Sequence, residues 1–210
     1  MPQKIITSFG LIRHSTTLWN KEKRIQGQQD SPLSDRGRAM AIAWGKQLKE
    51  MDWQRIYSSD LGRAAETAAL INGTLELPVL YDARLREQDW GSWTGKTLSE
   101  LKKNQARELR EQEQMGWLFR PPQGESRRTV LTRGLNALAD ASARWPGEKI
   151  LVVCHEGMIK CLLYHLLNRQ FLPGEPPVLA AAHLHLLVRE RDSLSIDRLN
   201  FLPLAGTVPS

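Results

Sequence analysis

Ile150-Leu-Val-Val-Cys154-His-Glu-Gly157-Met-Ile-Lys-Cys161-Leu-Leu-Tyr-His165-Leu-Leu167 is the stretch that decides the fold. Its first five residues form a continuous apolar run, the pattern of a strand buried on both faces. The run stops at His155, and residues 157–167 follow as a helix. A buried strand that passes through one polar position into a helix is the repeating unit of an α/β protein.

The same alternation extends outward in both directions. Residues 5–12 form a β-branched-rich run that ends abruptly in Arg13-His14. After a polar loop at 20–31, Ser34 caps a helix whose apolar positions Met40, Trp44, Leu48 and Met51 recur at spacings of four, four and three. Residues 55–58 make a short strand. Asp60 then caps a second helix with Ala64, Thr67, Ala68 and Ile71 on one face, and Leu131, Leu135, Leu138 and Ser142 mark a third. Near the C-terminus, Leu184, Leu186 and Val188 alternate, Asp192-Ser193 turns, and residues 194–201 return as a hairpin. The prediction is an α/β three-layer sandwich around a mostly parallel central sheet. Residues 97–120 stand apart: they are highly charged and form a solvated helix that leans on the core through Leu98, Leu101 and Leu109. The three prolines between 170 and 177 mark a surface loop.

At 210 residues, with 41% hydrophobic and 25% charged side chains, the chain suits one soluble domain spanning 1–210. No stretch approaches the ~20 apolar residues of a membrane span, and the first ten residues lack the features of a signal peptide. A cytoplasmic protein with no membrane partner is expected. Cys154 and Cys161 lie in apolar runs at a spacing that suits neither a redox pair nor a zinc site, so they are expected to be buried thiols. The net charge of +6 favours anionic partners. Its basic residues are scattered among acids, with no aromatic-basic stripe, which argues against nucleic acid.

Ligands of open α/β sheets bind beyond the carboxyl ends of the strands. Arg13-His14 follows the first strand, Arg63 opens the helix after the second, His155 follows the buried one, and Glu87 lies in the loop before Trp90-Gly91. Each alone fits a solvated or structural role; two histidines and two arginines at one sheet end point to a site.

Six blocks in order then carry a resemblance. Leu11-Ile-Arg-His-Ser-Thr-Thr-Leu-Trp-Asn20 resembles the Leu-x-Arg-His-Gly-x-Thr-x-x-Asn signature of the histidine phosphatase superfamily, the phosphoglycerate mutase-like proteins. It continues in Arg24-Ile-Gln-Gly-Gln-Gln-Asp-Ser-Pro-Leu-Ser34 and Tyr57-Ser-Ser-Asp-Leu-Gly-Arg-Ala-Ala-Glu-Thr-Ala68. Leu85-Arg-Glu-Gln-Asp-Trp-Gly91 is similar to the acidic-residue segment, Pro122-Gln-Gly-Glu-Ser126 to the Gly-Glu-Ser block, and Val152-Val-Cys-His-Glu-Gly157 to the second-histidine segment.

The resemblance implies a phosphoglycerate mutase-like fold in which residues 97–120 form a helical lid. It implies that His14 takes up a phosphoryl group while Arg13, Arg63 and His155 neutralise its oxygens, His155 as a donor that is protonated or nearly so. Asn20, Gln26 and Gly27 would complete the phosphate site. Glu87 would protonate the leaving oxygen and then activate water; its rival roles are a helix-cap acid or an ion-pair partner of Arg84 or Arg86. No metal and no cofactor are implied, and the partner is a small phosphorylated metabolite.

Two positions depart from the pattern: Ser15 and Glu156 stand where the family has glycine. Ser15 is small enough to be harmless and able to touch phosphate. Glu156 would repel phosphate unless it turns away, toward solvent or Lys160 one turn on.

Other features are weaker signals. Gly91-Ser-Trp-Thr-Gly-Lys-Thr97 is one residue short of a nucleotide-binding loop and follows no buried strand. Trp90 and Trp93 suit an apolar wall or core. His183 and His185 suit half-exposed strand positions, and His165 helix packing. Around the acid, mutases of the superfamily carry Glu-Arg-His-Tyr-Gly, whereas this chain has Glu87-Gln-Asp-Trp-Gly91, which favours hydrolysis. Arg127-Arg128 is similar to the mutases' basic pair, and Arg107, Arg110 and Arg120 are placed to read the substrate's far end. The expected activity is metal-independent phosphomonoester hydrolysis through phosphohistidine. The alternatives are a cofactor-dependent phosphoglycerate mutase and a non-catalytic phospho-ligand binder.

Overall fold

The computed structural model describes residues 5–206. The strands are β1 (Ile6–Arg13), β2 (Arg55–Ser58), β3 (Val79–Tyr81), β4 (Lys149–Cys154), β5 (His183–Glu190) and β6 (Ser193–Pro203). They form one sheet in the order β3-β2-β4-β1-β5-β6. The first four in that order run parallel, and β5 and β6 add an antiparallel hairpin at one edge. The helices are α1 (Leu18–Lys21), α2 (Asp35–Leu48), α3 (Gly62–Leu75), α4 (Leu98–Asn104), α5 (Ala106–Glu113), α6 (Arg127–Arg144) and α7 (Glu156–Leu166).

Alternation along the central strands builds three layers. Phe9 and Leu11 of β1 and Ile150 and Val152 of β4 face α6 and α7, packing on Leu138, Met158 and Leu162. Ile12, Leu151 and Val153 face the other way, onto Trp44, Ala68 and Ile71 of α2 and α3. Strands covered on both sides must be apolar throughout, which is why β4 is so plain in the sequence. Each fully buried Leu or Ile here contributes about 1.5–3 kcal/mol. The mutase-like α/β sandwich around a mostly parallel sheet is therefore the observed architecture.

Several local expectations change. Ser34 caps α2 by accepting from Gly37 N. Asp60, however, does not cap α3: its carboxylate pairs with Arg86, and the Asp30 carboxylate from a distant loop accepts the N–H groups of Gly62 and Arg63 instead. The buried face of α6 is Val130, Gly134, Ala137, Leu138 and Ala141, with Leu131 and Leu135 at its edge. The hairpin turns at Arg191-Asp192, one residue earlier than expected.

Residues 97–120 are not one helix. A break at Gln105 separates α4 from α5, and the segment closes over its own small core of Trp93, Leu101, Leu109 and Phe119. Leu98, expected to anchor it, is exposed. No helix among the described residues is long and apolar enough to cross a membrane.

His185 is buried, contrary to a half-exposed strand position, and accepts a hydrogen bond at Nδ1 from Asn200 N. His165 is exposed and meets the edge of Trp117. Burial, aided by His183, holds the His185 imidazole down at about 4, against an ordinary 6.5. Between those values the unfolded chain binds more protons than the folded one, so stability rises with pH across that window. Moving from pH 7 to pH 5 is expected to cost about 2 kcal/mol from this group alone. His185→Asn keeps an acceptor for Asn200 N–H and should flatten that slope. Denaturant unfolding at the two pH values measures it, and equal slopes in both proteins would rule the effect out.

Candidate active site

Register brings the polar strand ends together. Arg13 of β1 lies opposite Cys154 of β4, and Ser58 of β2 opposite Val153. His14 N donates to Cys154 O and Ser59 N to Val153 O, both at 2.9 Å, so His14, Ser59 and His155 leave the sheet at one level.

His14 is buried, and its Nδ1 lies 2.8 Å from Ser15 O. A carbonyl oxygen only accepts, so Nδ1 carries the hydrogen and Nε2 the lone pair. Arg63 Nε donates to that Nε2 at 3.3 Å. Burial, with Arg13 and Arg63 alongside, holds His14 well below its ordinary value, and the ring is neutral. Arg63 is itself buried. Its remaining donors reach Gly27 O at 2.7 Å, Gln29 O at 2.9 Å and the Asp30 carboxylate at 2.9 Å.

The His155 ring lies 5.2 Å from that of His14, centroid to centroid. Its Nε2 is 2.9 Å from Ser59 Oγ, which already accepts from Leu61 N. The hydroxyl can donate to Nε2 or accept from it, and Nδ1 is buried with no partner. Burial and the charges of Arg63 and Arg13 hold this histidine well below its ordinary value. The imidazolium form of His155 is therefore disfavoured, whereas the resemblance implies a ring that is protonated or nearly so.

Glu87 pairs with neither Arg84 nor Arg86, which bind Asp82 and Asp60. Its carboxylate accepts from Gln88 N at 2.8 Å and, at the start of α7, from Gly157 N at 3.1 Å. The helix-cap role is thus part of its geometry. A Cβ on residue 157 would overlap Glu87 Oε1, so glycine is required there for the carboxylate to approach. Arg133 braces the same loop through Arg84 O, Arg86 O and Glu87 O, and pairs with Glu125 of the Gly-Glu-Ser block. Sequence reading gave Arg133, Asp30 and Ser59 no role. Asp30 and Ser59 fall inside the quoted blocks, the only signal available.

The two departures from glycine resolve differently. Ser15 Oγ donates to Gly37 O at 2.7 Å, away from the phosphate side, and its backbone has no positive φ. Glu156 turns to Lys160, as expected, and also reaches Arg13. It bridges Arg13 Nη1 and Lys160 Nζ, each at 2.6 Å, on the pocket wall. Burial opposes its ionisation, but Arg13 and Lys160 outweigh this and hold the carboxyl below its ordinary value.

These groups face a pocket of about 340 Å³. Gln26 and Gly27 line it, as does Asn20, whose Oδ1 is committed to Thr17 and whose amide NH₂ is the available end. Trp90, Leu98 and Phe171 supply apolar wall, while Trp93 is fully buried behind Trp90. The rim cations are Arg24, Arg127 and Lys160. Arg107, Arg110 and Arg120 do not line it; Arg107 is tied to Glu111 and Arg120 to Gly124 O. Arg127 is clamped between the rings of Phe119 and Phe171, whereas Arg128 is exposed. Among the described residues no group of three or more His, Cys, Asp or Glu is placed to hold a metal. Burial pushes both Cys154 and Cys161 up to about 12, so neither is a thiolate near neutrality.

Comparison with known proteins agrees with this geometry. The chain is 38% identical over 161 residues to a probable phosphoglycerate mutase GpmB of Citrobacter koseri, covering 75% of this chain and 74% of that protein. Among solved structures, Bacillus stearothermophilus YhfR superposes with a TM-score of 0.83 at 32% identity, over 96% of this chain and 98% of that one. A mycobacterial glucosyl-3-phosphoglycerate phosphatase in complex with VO3 superposes with a TM-score of 0.77 at 29% identity, over 90% and 97%. The profile of the histidine phosphatase superfamily (branch 1) matches residues 9–202. With both histidines, both arginines and the acid gathered at one sheet end, the chain belongs to the histidine phosphatase superfamily.

Proposed function

We propose that this chain hydrolyses phosphomonoesters of small metabolites through a phosphohistidine at His14. The observation that carries the reading is the His14 Nε2 lone pair, fixed toward Arg63 by the Nδ1–H bond to Ser15 O. In the first step Nε2 bonds to phosphorus as the ester P–O bond breaks, and Glu87 gives its proton to the departing oxygen. Arg63 Nε–H loses its acceptor at that moment and passes to a phosphoryl oxygen, joined by Arg13, Gln26, Asn20 and His155 Nδ1–H. In the second step the Glu87 carboxylate takes a proton from water, which attacks phosphorus; the P–N bond breaks and neutral His14 returns. The segment 97–120, which places Leu98 on the pocket wall, acts as the lid.

Hydrolysis is favoured over mutase action by Trp90. It stands where the mutase pattern has tyrosine and puts an indole in the pocket wall without a phenolic hydroxyl. The mycobacterial neighbour is named a phosphatase, which supports the same choice. The Citrobacter relative carries the mutase name, so the mutase reaction is the control.

Phosphate release from a panel of monoesters in the presence of EDTA is the test. Native protein should turn over and His14→Ala should not. Conversion of 3-phosphoglycerate primed with bisphosphoglycerate, without phosphate release, would assign the mutase instead. Stabilisation by vanadate with no turnover would assign a binder. Glu87→Gln should lower turnover by about 10²–10⁴-fold. Gly157→Ala should lower it in the same direction, because its Cβ displaces Glu87, while vanadate still raises the melting temperature.

A further inference from the structure

We propose that Glu156 is a specificity-determining residue. Held at the pocket rim between Arg13 and Lys160, its carboxylate turns away esters with a second anion on the carbons next to the phosphate and takes those with hydroxyls there. The inference rests on the phosphomonoesterase reading and names the substrate class of that site.

Three observations carry it. Glu156 lines the pocket, with its side chain 40% exposed, so a bound ester meets it. Arg13 gives Nη1 to Glu156, while its buried Nε has no partner. The Nε–Nη2 edge of that guanidinium is thus left to grip a phosphate as a fork, and Glu156 and the phosphate flank one planar group. Finally, each Glu156 oxygen spends one lone pair, on Arg13 or on Lys160, and keeps another for a donor.

The charge balance gives the direction. With glycine at 156, Arg13 and Lys160 would both be free, and the rim would welcome a phosphate and a neighbouring carboxylate together. Glu156 removes one of those charges. The Arg13–Glu156–Lys160 group keeps a net +1, enough for a phosphate beside it, and sets a carboxylate against the next carbons. A neutral hydroxylated skeleton can donate to Glu156; a carboxylate there has only acceptors and like charge. The effect acts well within the ~10 Å screening length at 0.1 M salt.

Glycerol 3-phosphate and 3-phosphoglycerate share one three-carbon frame and differ in a hydroxymethyl against a carboxylate, which makes them the probes. Native protein should prefer glycerol 3-phosphate by about tenfold in kcat/KM, a discrimination of about 1.4 kcal/mol. Glu156→Gln should erase most of that ratio, chiefly through the KM of the carboxylated ester. Lys160→Met, which leaves Glu156 less neutralised, should enlarge it. The native ratio should also shrink with added salt. General loosening of the site would move both variants the same way, and that result, or an unchanged ratio in Glu156→Gln, overturns the proposal. Dissociation constants for the two esters in the His14→Ala background read the same discrimination without turnover. Discrimination there in a protein that hydrolyses neither ester would sink the hydrolase reading and leave this inference standing; binding of neither ester overturns it.

Discussion

A buried guanidinium must find acceptors for its hydrogens, and the arrangement around Arg63 meets that demand. Gly27 O, Gln29 O and the Asp30 carboxylate each take a hydrogen bond, and the fourth goes to the Nε2 lone pair of His14. Gly27 holds φ near +53°, where a side chain would press on Thr94 and Trp90, so the loop carbonyls can turn inward. Asp30 serves twice, as ion-pair partner of the Arg63 side chain and as acceptor for the first N–H groups of α3. One constraint thus joins the loop, the helix start and the imidazole. The orientation of the His14 ring is fixed by the protein itself, which suits the proposed phosphoryl transfer.

The opposite wall is built on the start of α7, where two carboxylates meet one helix N-terminus. Glu87 is held by neutral backbone N–H groups and Glu156 by two cations. The positive end of the helix favours both. Their partners differ: Glu87 is held by backbone N–H groups alone, whereas Glu156 is clamped between Arg13 and Lys160, which keep it charged. Of the two residues that follow His155, Gly157 leaves the space into which the Glu87 carboxylate packs, while Glu156 reaches its two cations on the pocket wall.

What the sequence made legible follows from burial. β1, β2 and β4 were plain because strands covered on both faces are apolar throughout, and the catalytic candidates stood out as polar residues ending those runs. β3 was missed because it is a three-residue edge strand, half-buried, with no run to detect. α1 was missed because four residues with a Thr17–Asn20 capping box sit inside a polar loop. The cap of α3 was misassigned because the acceptor comes from Asp30, some thirty positions away, while Asp60 stood nearby. The Lys160 partner of Glu156 is legible one helical turn on, but its second partner, Arg13, lies 143 residues distant in the chain. His185 alternates as a strand residue should, but alternation cannot say which face another segment covers.

The site is thus made of two materials. The cradle groups are bonded largely to the backbone of strand ends and loops, and Arg63 is fully buried while its ion-pair partner Asp30 is half-exposed. At the rim, Lys160 is held only by its half-exposed ion pair with Glu156, of the kind that contributes about 0–1 kcal/mol, whereas Arg24 and Arg127 also donate to backbone carbonyls. Changes at the rim can therefore redirect which ester is held without loosening the machinery that attacks it. Glu156 lies where the two meet, one oxygen on Arg13 and the other on Lys160, so the proposed selection among esters acts through one side chain that links the two groups.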